Sequence, residues 1–481
     1  ATTLYGDGSN MTGIALSIAP LNYNPAVLGS EVEKTSGIGI TFNQGVKSGS
    51  GNVTLSIANA GVAGTVVENF GVGSSVSYSN GDTITITPTS SLNISETYHL
   101  SYPSGAFTNI GGDVSYVGTA YTFGVKTDVY QLWSWGYNGK GQLGQNSTST
   151  TYYSSPVQIP GITWSSIYAK FNRAIATKTD GTLWSWGYNN YGQLGDNSIL
   201  NRSSPTQIPG TSWAGIAGGA WQTLATKTNG TLWSWGRNDN GQLGQNNDNP
   251  TGISSPVQVP GTTWAISGAN KISSGGTGQS ISAIKSDGTL WSWGRNTEGQ
   301  LGLNQTADNV RLSSPTQIPG TTWSQVVHAS YAVFATRTDG TLYSWGYNNH
   351  GELGLNNRTK YSSPVQIPGT TWSGIAAADR SAASIKTDGT LWAWGRNRYG
   401  ELGQNSISSP SNNGLSSPVQ IGSDTTWRTI NSGNYNNYYA TKTDGTLWAW
   451  GNNTGGELGQ NNRTQYSSPV QIPGTTWTND P

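Results

Sequence analysis

One phrase recurs seven times along this chain of 481 residues, and it constrains the fold more than any other feature. The phrase is Leu-Trp-Ser-Trp-Gly-x-Asn-x-x-Gly-Gln-Leu-Gly, and successive copies lie 49 to 58 residues apart. Its second tryptophan is Trp135, Trp186, Trp235, Trp293, Trp345, Trp394 and Trp450. A fixed period of this length is typical of propellers and solenoids, in which similar units stack on one another.

Each repeat has the pattern of short antiparallel strands joined by tight turns. An Asp-Gly or Asn-Gly pair, first seen at Asp180-Gly181, separates alternating apolar runs and indicates a hairpin whose two turn residues take positive φ. No segment carries the apolar stripe of an amphipathic helix. Each repeat therefore predicts a small antiparallel sheet that cannot bury its own faces, and radial stacking of seven such sheets predicts a β-propeller.

The tryptophans fit this scaffold. The chain has 21 of them, and all but Trp221 occupy repeated positions. A second repeated set follows the Pro-Gly turn and consists of Trp164, Trp213, Trp264, Trp323, Trp372, Trp427 and Trp477. Because every blade needs the same packing, we expect both sets to be structural core residues. Exposed rows of indoles that stack sugar rings are the alternative.

The phase of the repeats predicts how the ring closes. The chain ends at Trp477, where a repeat begins, whereas the first copy opens at Thr122 to Asp128, in the middle of a repeat. The two partial repeats add up to one unit. We therefore expect residues 123–481 to form a seven-bladed propeller closed by pairing of its N- and C-terminal strands, which leaves no open sheet edge.

The motif Trp-Gly-x-Asn-x-x-Gly-Gln-Leu-Gly, followed by Ser-Pro-x-Gln-Ile, resembles the repeat of the regulator of chromosome condensation family over about residues 124–481. The resemblance implies a seven-bladed propeller. The founding member of that family is an exchange factor for a small GTPase and binds chromatin, through an insertion and a basic tail that have no match in this sequence. Where the family often has histidine, this chain has Arg173, Gln222, Ser280, Ala332, Ser381 and Asn437.

Residues 1–122 contain no copy of the repeat and no tryptophan. About seven short strand-like runs separated by Gly, Asn, Ser and Pro predict a β-sandwich. Segments such as Ile40–Lys47 and Ile86–Leu92 resemble a bacterial Ig-like domain of surface-layer and other secreted proteins, which implies an attachment or spacer module. The predicted fold class is thus all-β, an N-terminal Ig-like β-sandwich fused to a seven-bladed β-propeller.

Composition excludes several classes of function. Only 10% of residues are charged and the net charge is zero, so the chain lacks the basic stripe of a nucleic-acid binder. It also lacks the basic amphipathic helix of a membrane-surface protein and any long apolar span. The absence of cysteine excludes disulfides and thiolate chemistry. A neutral surface rich in Asn, Ser, Thr, Gly and Tyr favours an extracellular location, on a virion or a bacterial cell.

Catalytic signatures are absent from the sequence. No spacing marks the three histidines as part of a triad or a metal site, and we expect neither metal nor cofactor. Glu352, Glu401 and Glu457 replace Gln in three successive Gly-Gln-Leu-Gly copies. Paired carboxylates could cleave sugars, but equivalent positions on a ring lie far apart, so we interpret the change as tolerated variation. We therefore expect a protein that is not an enzyme.

Positions that differ between copies are free to serve binding. One variable segment follows the Pro-Gly-x-x-Trp turn and would form a ring on one face. Its candidate ligand-binding residues are Phe171, Asn172, Arg173, Trp221, Gln222, Gln279, Tyr331, Arg380, Asn436 and Asn437. The residue after Trp-Gly also varies among Tyr, Arg and Asn, and Tyr and Arg are favoured at recognition hot spots. Simple solvated loop residues are the alternative.

Three hypotheses for function remain. The first is a non-enzymatic extracellular structural or recognition protein, namely a phage virion appendage or decoration protein with an outward-facing propeller. The second is a secreted bacterial surface adhesin that binds glycans or protein. The third is a GTPase-regulating interaction module. The expected partners are other virion or cell-surface proteins through the N-terminal domain, and possible surface glycans, with no nucleic acid and no membrane insertion.

Overall fold

The computed structural model divides into two compact units, Ala1–Val129 and Tyr130–Pro481. It describes residues 20–24, 38–42, 45–59, 62–79, 81–89, 97–112, 114–116, 121–124, 131–148, 152–161, 163–266, 270–276, 279–305, 311–407, 414–433, 436–474 and 477. All regular elements in these ranges are β-strands, which confirms the predicted all-β class.

The first unit is a β-sandwich. Its strands are β1 Pro20–Asn24, β2 Ile38–Phe42, β3 Val46–Ser48, β4 Asn52–Asn59, β5 Val62–Gly71, β6 Val76–Ser79, β7 Thr83–Ile86, β8 Thr97–Ser101, β9 Phe107–Asn109 and β10 Tyr121–Gly124. They form two four-stranded sheets, β1-β2-β7-β6 and β10-β8-β4-β5, and the short pair β3-β9. Alternate residues Ile38, Ile40 and Phe42 of β2 enter one core with Val53 and Leu55 of β4. This period of two is the expected pattern of a strand with one buried face.

Strand β10 corrects one sequence expectation. Thr122 to Asp128 was expected to open the first propeller blade. Instead, Tyr121 pairs with Leu100 and Gly124 pairs with Thr97 in an antiparallel ladder, so β10 is an edge strand of the sandwich. Residues 125–130 lie outside the described residues. The predicted domain boundary at residue 122 thus falls inside this strand.

The described residues of the second unit form six four-stranded sheets and one two-stranded sheet. Blade 1 comprises β13 Trp164–Lys170, β14 Arg173–Lys178, β15 Leu183–Gly187 and β16 Arg202–Ile208; blade 2 comprises β17 Trp213–Gly218, β18 Gln222–Lys227, β19 Leu232–Gly236 and β20 Ile253–Gln258; blade 3 comprises β21 Ile272–Ser274, β22 Ser280–Ile284, β23 Leu290–Arg295 and β24 Arg311–Ile318. Blade 4 comprises β25 Trp323–His328, β26 Ala332–Arg337, β27 Leu342–Gly346 and β28 Tyr361–Gln366; blade 5 comprises β29 Trp372–Ala377, β30 Ser381–Lys386, β31 Leu391–Gly395 and β32 Leu415–Gln420; blade 6 comprises β33 Trp427–Ser432, β34 Asn437–Lys442, β35 Leu447–Gly451 and β36 Tyr466–Ile472. Blade 7 contains β11 Leu132–Tyr137 and β12 Tyr152–Ile159.

The blades stack radially. The first strands of blades 1 to 6 contact one another in succession, so they lie nearest the axis of the ring. Between blades, apolar residues of one sheet pack on the tryptophans of the next. For example, Ile175 and Leu183 of blade 1 share a core with Trp213 and Trp235 of blade 2. Twelve of the fourteen repeated tryptophans named above are buried, and Trp135 and Trp477 of blade 7 are half-buried.

The hairpin turn explains the repeated Asp-Gly-Thr-x-Trp sequence. The Asp180 carboxylate accepts hydrogen bonds from the Thr182 N–H at 2.9 Å and the Thr182 hydroxyl at 2.6 Å. The Trp184 indole then donates to the same hydroxyl at 2.9 Å. Both turn residues were expected at positive φ, but only Gly181 has it, at 75°. The loop is therefore the three-residue type, in which a left-handed Gly follows a type I turn.

A circle of hydrogen bonds joins the blades. In each blade the indole Nε1 of the Trp-Gly tryptophan donates to the backbone carbonyl of Gln or Glu in the Gly-Gln-Leu-Gly of the preceding blade. The pairs are Trp186 to Gln142, Trp235 to Gln193, Trp293 to Gln242, Trp345 to Gln300, Trp394 to Glu352, Trp450 to Glu401 and Trp135 to Glu457. The last Gly of the motif is required, because a Cβ at Gly195 would stand 2.5 Å from the Trp235 Nε1.

The ends of the propeller sequence meet in blade 7. The ring centroids of Trp135 and Trp477 lie 6.3 Å apart at an interplanar angle of 67°. The corresponding pair within blade 2, Trp213 and Trp235, has almost the same geometry, at 6.0 Å and 64°. Trp477 therefore occupies the first-strand position of the blade that contains β11.

Candidate recognition face of the propeller

Two sets of variable residues lie on one face of the ring. One is the segment after the Pro-Gly-x-x-Trp turn, and the other is the residue after Trp-Gly. In an up-and-down blade, the turn between strands one and two and the loop between strands three and four are at the same end. Backbone hydrogen bonds tie them together: the Arg237 N–H donates to the Trp221 carbonyl at 2.8 Å, and the Tyr347 N–H donates to the Tyr331 carbonyl at 3.0 Å. We call the surface formed by these turns and loops the turn face.

The ten candidate residues divide by burial. Phe171, Asn172, Trp221, Tyr331 and Arg380 are half-buried on the turn face. The other five are buried, and they are Arg173, Gln222, Gln279, Asn436 and Asn437. The side chains of Arg173, Gln222, Gln279 and Asn437 make hydrogen bonds within or between blades. Contact of these five buried residues with a ligand stays a prediction.

Arg173 shows what the buried group does. It is 2% exposed, and its guanidinium donates to the carbonyls of Gly219 at 2.5 Å, Ala220 at 3.2 Å and Gln222 at 2.6 Å. Burial lowers its pKa to about 10. The Gly219 and Ala220 carbonyls lie in the inner turn of blade 2, whereas the Gln222 carbonyl, at the start of β18, also accepts the Gly219 N–H at 3.0 Å. Arg173 therefore joins blade 1 to blade 2, because buried carbonyls need hydrogen-bond partners.

Phe171 also reaches across blades. Its backbone is left-handed at φ 52°, which is strained for a bulky side chain. The ring extends to the inner turn of blade 3, where any side chain at Gly276 would overlap it. Phe171 thus passes over blade 2 near the axis of the ring, and the glycine makes that approach possible.

Trp221 forms an aromatic cluster at the junction of blades 1 and 2. The Arg237 guanidinium lies 4.8 Å from the Trp221 ring centroid and 5.1 Å from that of Tyr191. Asp239 holds the guanidinium through an ion pair of 2.5 Å. A cation therefore already occupies this aromatic site, which leaves the outer surface of the indole for contact with a partner.

A cleft of about 200 Å³ lies on the turn face where blades 3, 4 and 5 meet. It is lined by Glu298, Ser330, Tyr331, Ala332, Tyr347, Glu352, Asp379 and Arg380. Tyr331 and Arg380 are the two sequence candidates that it brings together. The acids were not proposed as ligand contacts from sequence, and Glu352 had been interpreted as tolerated variation.

Asp379 organises the charges at one side of the cleft. It accepts a hydrogen bond of 2.5 Å from the Ser330 hydroxyl and lies 3.4 Å from Arg396 and 3.7 Å from Arg380. The Arg380 Nη1 lies 2.6 Å from the Nε2 of His350. Because a guanidinium can only donate, this nitrogen of His350 accepts and the ring is neutral. Burial and the nearby arginines lower the pKa of His350, in agreement with that assignment.

Glu352 supplies a buried carboxyl group at the bottom of the cleft. It is 1% exposed, and its Oε2 accepts the His350 N–H at 2.7 Å. Its Oε1 is buried and has no hydrogen-bond partner within the described residues. Burial raises the pKa of Glu352 to about 7, against the opposing effect of Arg380 and Arg396.

The same turn is capped by glutamine in other blades. The Gln300 Oε1 accepts the Glu298 N–H at 2.7 Å, as Gln193 accepts the Tyr191 N–H at 2.8 Å. One oxygen suffices for this cap, so Gln and Glu are interchangeable for the turn. The other polar group at the end of the side chain differs between the two residues. The NH2 group of Gln donates hydrogen bonds, whereas the second carboxylate oxygen of Glu accepts them.

Two features are absent from the described residues. Within those ranges, no group of three or more acidic or histidine side chains is placed to hold a metal ion. The described part of the chain also has no helix of the length and apolarity needed to cross a membrane.

Comparison with known proteins identifies the family. The regulator of chromosome condensation (RCC1) repeat family matches residues 131–168, 180–226, 229–278, 287–335, 339–385, 388–438 and 444–477, about two thirds of the chain. The bacterial Ig-like domain family matches residues 17–133. The chain therefore belongs to the RCC1 repeat family and carries an Ig-like domain, as the motifs predicted.

Relatives match only part of the chain. The ultraviolet-B receptor UVR8 of Arabidopsis thaliana is 30% identical over 190 residues, which are 40% of this chain and 43% of the receptor. Human protein RCC2 is 38% identical over 79 residues, or 16% of this chain and 15% of RCC2. The chain thus spans less than half the length of these relatives.

Solved structures share the fold. Prp20p from Saccharomyces cerevisiae superposes with a TM-score of 0.64 at 20% identity, over 73% of this chain and 87% of Prp20p. Human WBSCR16 gives a TM-score of 0.61 at 19% identity, over 72% of this chain and 96% of WBSCR16. At this identity the likeness establishes the propeller fold alone.

Proposed function

We propose that this protein is a non-enzymatic extracellular recognition protein, in which the Ig-like domain attaches to a larger assembly and the turn face of the propeller binds the target. The observation that carries the proposal is the cleft of about 200 Å³, where half-buried Tyr331 and Arg380 lie beside buried Glu352 and half-buried Asp379. Tyrosine and arginine are the residues that most often dominate recognition.

The arrangement of the polar groups supports binding over catalysis. His350 accepts from Arg380, Glu352 caps a backbone turn and Asp379 is paired with arginines and Ser330. Glu401 and Glu457 cap the turns of blades 5 and 6 in the same way as Glu352. These groups are held in place by hydrogen bonds, as a recognition site requires, and no nucleophile and base pair stands out among them.

For the assembly, we favour a tailed-phage virion, with the protein as an appendage or decoration; a secreted bacterial adhesin is the alternative. The neutral composition and the Ig-like domain support an extracellular setting. Immunogold electron microscopy of the source material, with an antibody against the propeller, separates the two. Label on phage particles supports the virion proposal, and label on cell envelopes replaces it with the adhesin.

The turn face is tested by attachment of the purified full chain to its target surface. We expect Trp221→Ala and Tyr331→Ala to weaken attachment with no loss of folded structure. Thr338→Ala is the matched control, since Thr338 is exposed in the turn between β26 and β27, at the end of blade 4 opposite the turn face. Unchanged attachment of both turn-face variants would show that another surface makes the contact.

Family membership favours one second candidate, a GTPase-regulating interaction module. Prp20p, which shares the fold, is described with binding properties to Gsp1p and histones. A nucleotide-exchange assay with small GTPases tests this candidate. Acceleration of exchange would replace the recognition proposal, and an unchanged exchange rate would remove the candidate.

A further inference from the structure

The size of the cleft limits what it can hold. Sites that enclose a drug-sized molecule measure roughly 300–1,000 Å³. At about 200 Å³, this cleft has room for one six-membered ring with its substituents and not for a peptide or an oligosaccharide. The remainder of a larger ligand would extend from the rim into solvent.

Apart from Glu352, the charged side chains that line the cleft are paired. Lys360 lies 2.5 Å from Glu298 and 5.0 Å from the Tyr347 ring centroid, so a cation occupies that aromatic surface. Arg380 lies 5.8 Å from the same ring and beside Asp379. A cationic ligand would meet these two side chains, and an anionic ligand would meet the acids. The cleft therefore favours a neutral ligand.

Unused hydrogen-bonding capacity lies among the residues that line the cleft. Glu352 Oε1 is buried and has no hydrogen-bond partner among the described residues, and a buried acceptor without a donor is unfavourable. Arg380 at the rim has 40% of its side chain exposed and carries five N–H donors. A hydroxyl group satisfies both kinds of neighbour, since it donates to a carboxyl oxygen and accepts from a guanidinium.

Tyr331 provides an aromatic wall for the same space. Its ring centroid lies 6.5 Å from that of Tyr347, and no described cation lies over it, unlike the ring of Tyr347. The C–H face of a pyranose is apolar and packs on the electron-rich face of an aromatic ring. A wall of this kind, beside a carboxyl and a guanidinium, matches a ring that has one apolar face and hydroxyls at its edge.

We propose, on the basis of the recognition function above, that this cleft binds one neutral pyranose, the terminal sugar of a glycan. Tyr331 packs on the apolar face of the ring. Glu352 Oε1 and Asp379 accept hydrogen bonds from its hydroxyls, and Arg380 donates to a hydroxyl oxygen at the rim. The inference gives Glu352 a role in selecting the ligand in addition to its backbone cap.

The test is titration of the full chain with the methyl glycosides of glucose, galactose, mannose and N-acetylglucosamine, followed by saturation-transfer NMR. We expect at least one to bind with a Kd on the order of 1 mM, the strength of a small contact area. Glu352→Gln should weaken that binding at least tenfold, since the amide replaces an acceptor with a donor. The variant keeps the turn cap that Gln300 forms in blade 3.

Glu457→Gln is the matched control, because Glu457 caps the equivalent turn of blade 6 and does not line the cleft. Its binding should equal that of the parent protein. Absence of signal from all four glycosides overturns the sugar proposal, as does equal binding by Glu352→Gln and the parent protein.

Attachment assays distinguish failure of the sugar proposal from failure of the recognition function. If Tyr331→Ala weakens attachment to the target while no glycoside binds, the recognition function stands and the sugar proposal is overturned. If a glycoside binds through Glu352 while attachment does not depend on the turn face, the sugar site stands and the recognition function is overturned.

Discussion

Replacing Glu352 by glutamine should change how the stability of the propeller depends on pH. Burial raises the pKa of this carboxyl from 4.5 to about 7 in the folded chain. A group whose pKa is raised by folding stabilises the folded state below the unfolded value, and that stability is lost as pH rises to the folded value. The loss should therefore occur between about pH 4.5 and pH 7.

The size of the effect follows from the two pKa values. A difference of one in pKa corresponds to about 1.4 kcal/mol, so the free energy of unfolding should fall by about 3 kcal/mol across this window. Glu352→Gln keeps the hydrogen bond to the His350 N–H and removes the charge. We expect the variant and the parent protein to be equally stable near pH 4 and the variant to be more stable by about 3 kcal/mol at pH 8.

Urea denaturation followed by tryptophan fluorescence at several pH values measures this difference. Gln300→Glu is the reciprocal control, since it places a carboxyl at the equivalent buried position of blade 3. It should introduce the pH dependence that Glu352→Gln removes. A stability difference that stays constant from pH 4 to pH 8 would refute the argument that burial sets the pKa of Glu352.

Three further changes test other contacts. Arg173→Met should destabilise the fold by about 3 kcal/mol, because it removes the side-chain donor of the Gly219 and Ala220 carbonyls of blade 2; an unchanged urea midpoint would contradict this. Trp477→Ala should cost about 3 kcal/mol and speed limited proteolysis of blade 7, and equal cleavage rates would mean that the Trp135 contact does not hold the ring closed. Lys442 lowers the pKa of Asp424 to about 2, so the stability from this pair should be present above pH 4 and disappear as pH falls to 2. Because the Asp424 side chain is 35% exposed, Asp424→Asn should cost no more than about 1 kcal/mol at pH 7, by urea denaturation.

The fold was predictable from sequence because every blade repeats the same physical solution. The period, the Asp-Gly turns and the two tryptophan sets each recur seven or nearly seven times, so chance variation at one copy does not hide the pattern. The boundary between the two units occurs only once in the chain, so no other copy of the pattern supports it. The predicted position of that boundary was less accurate. The alternating sequence pattern of strand Tyr121–Gly124 fits a strand of either unit. Only its pairing with Thr97–Ser101 places it in the sandwich.

The candidate site was predictable in position and not in detail. Variability between copies selected residues on one face of each blade, of which Tyr331 and Arg380 line the cleft. Their contact with a ligand stays a prediction. The same criterion also selected Arg173 and Gln222, which occupy the first position of a second strand, where the side chain is buried in blades 1 to 6. Variable buried positions adjust the packing between neighbours, and variability alone does not distinguish this from contact with a ligand.

Glu352 was undervalued for a different reason. Its neighbours in space, Asp379 and Arg380, come from the next blade and are distant from it in the repeat alignment. Sequence comparison between copies shows that Gln and Glu interchange at this point. It does not show that one oxygen caps the turn and leaves the other free, which depends on the geometry of the loop.

That interchange has a consequence for how the propeller can diversify. The codons for Gln and Glu differ in one nucleotide, and either residue satisfies the turn, as the caps formed by Gln300 and Glu352 show. A single point mutation can therefore convert a donor into an acceptor, or back, in any one blade while the backbone keeps its shape. Each of the seven blades can therefore change at this position independently of the others. Selection for binding a new target then requires no compensating change in the fold.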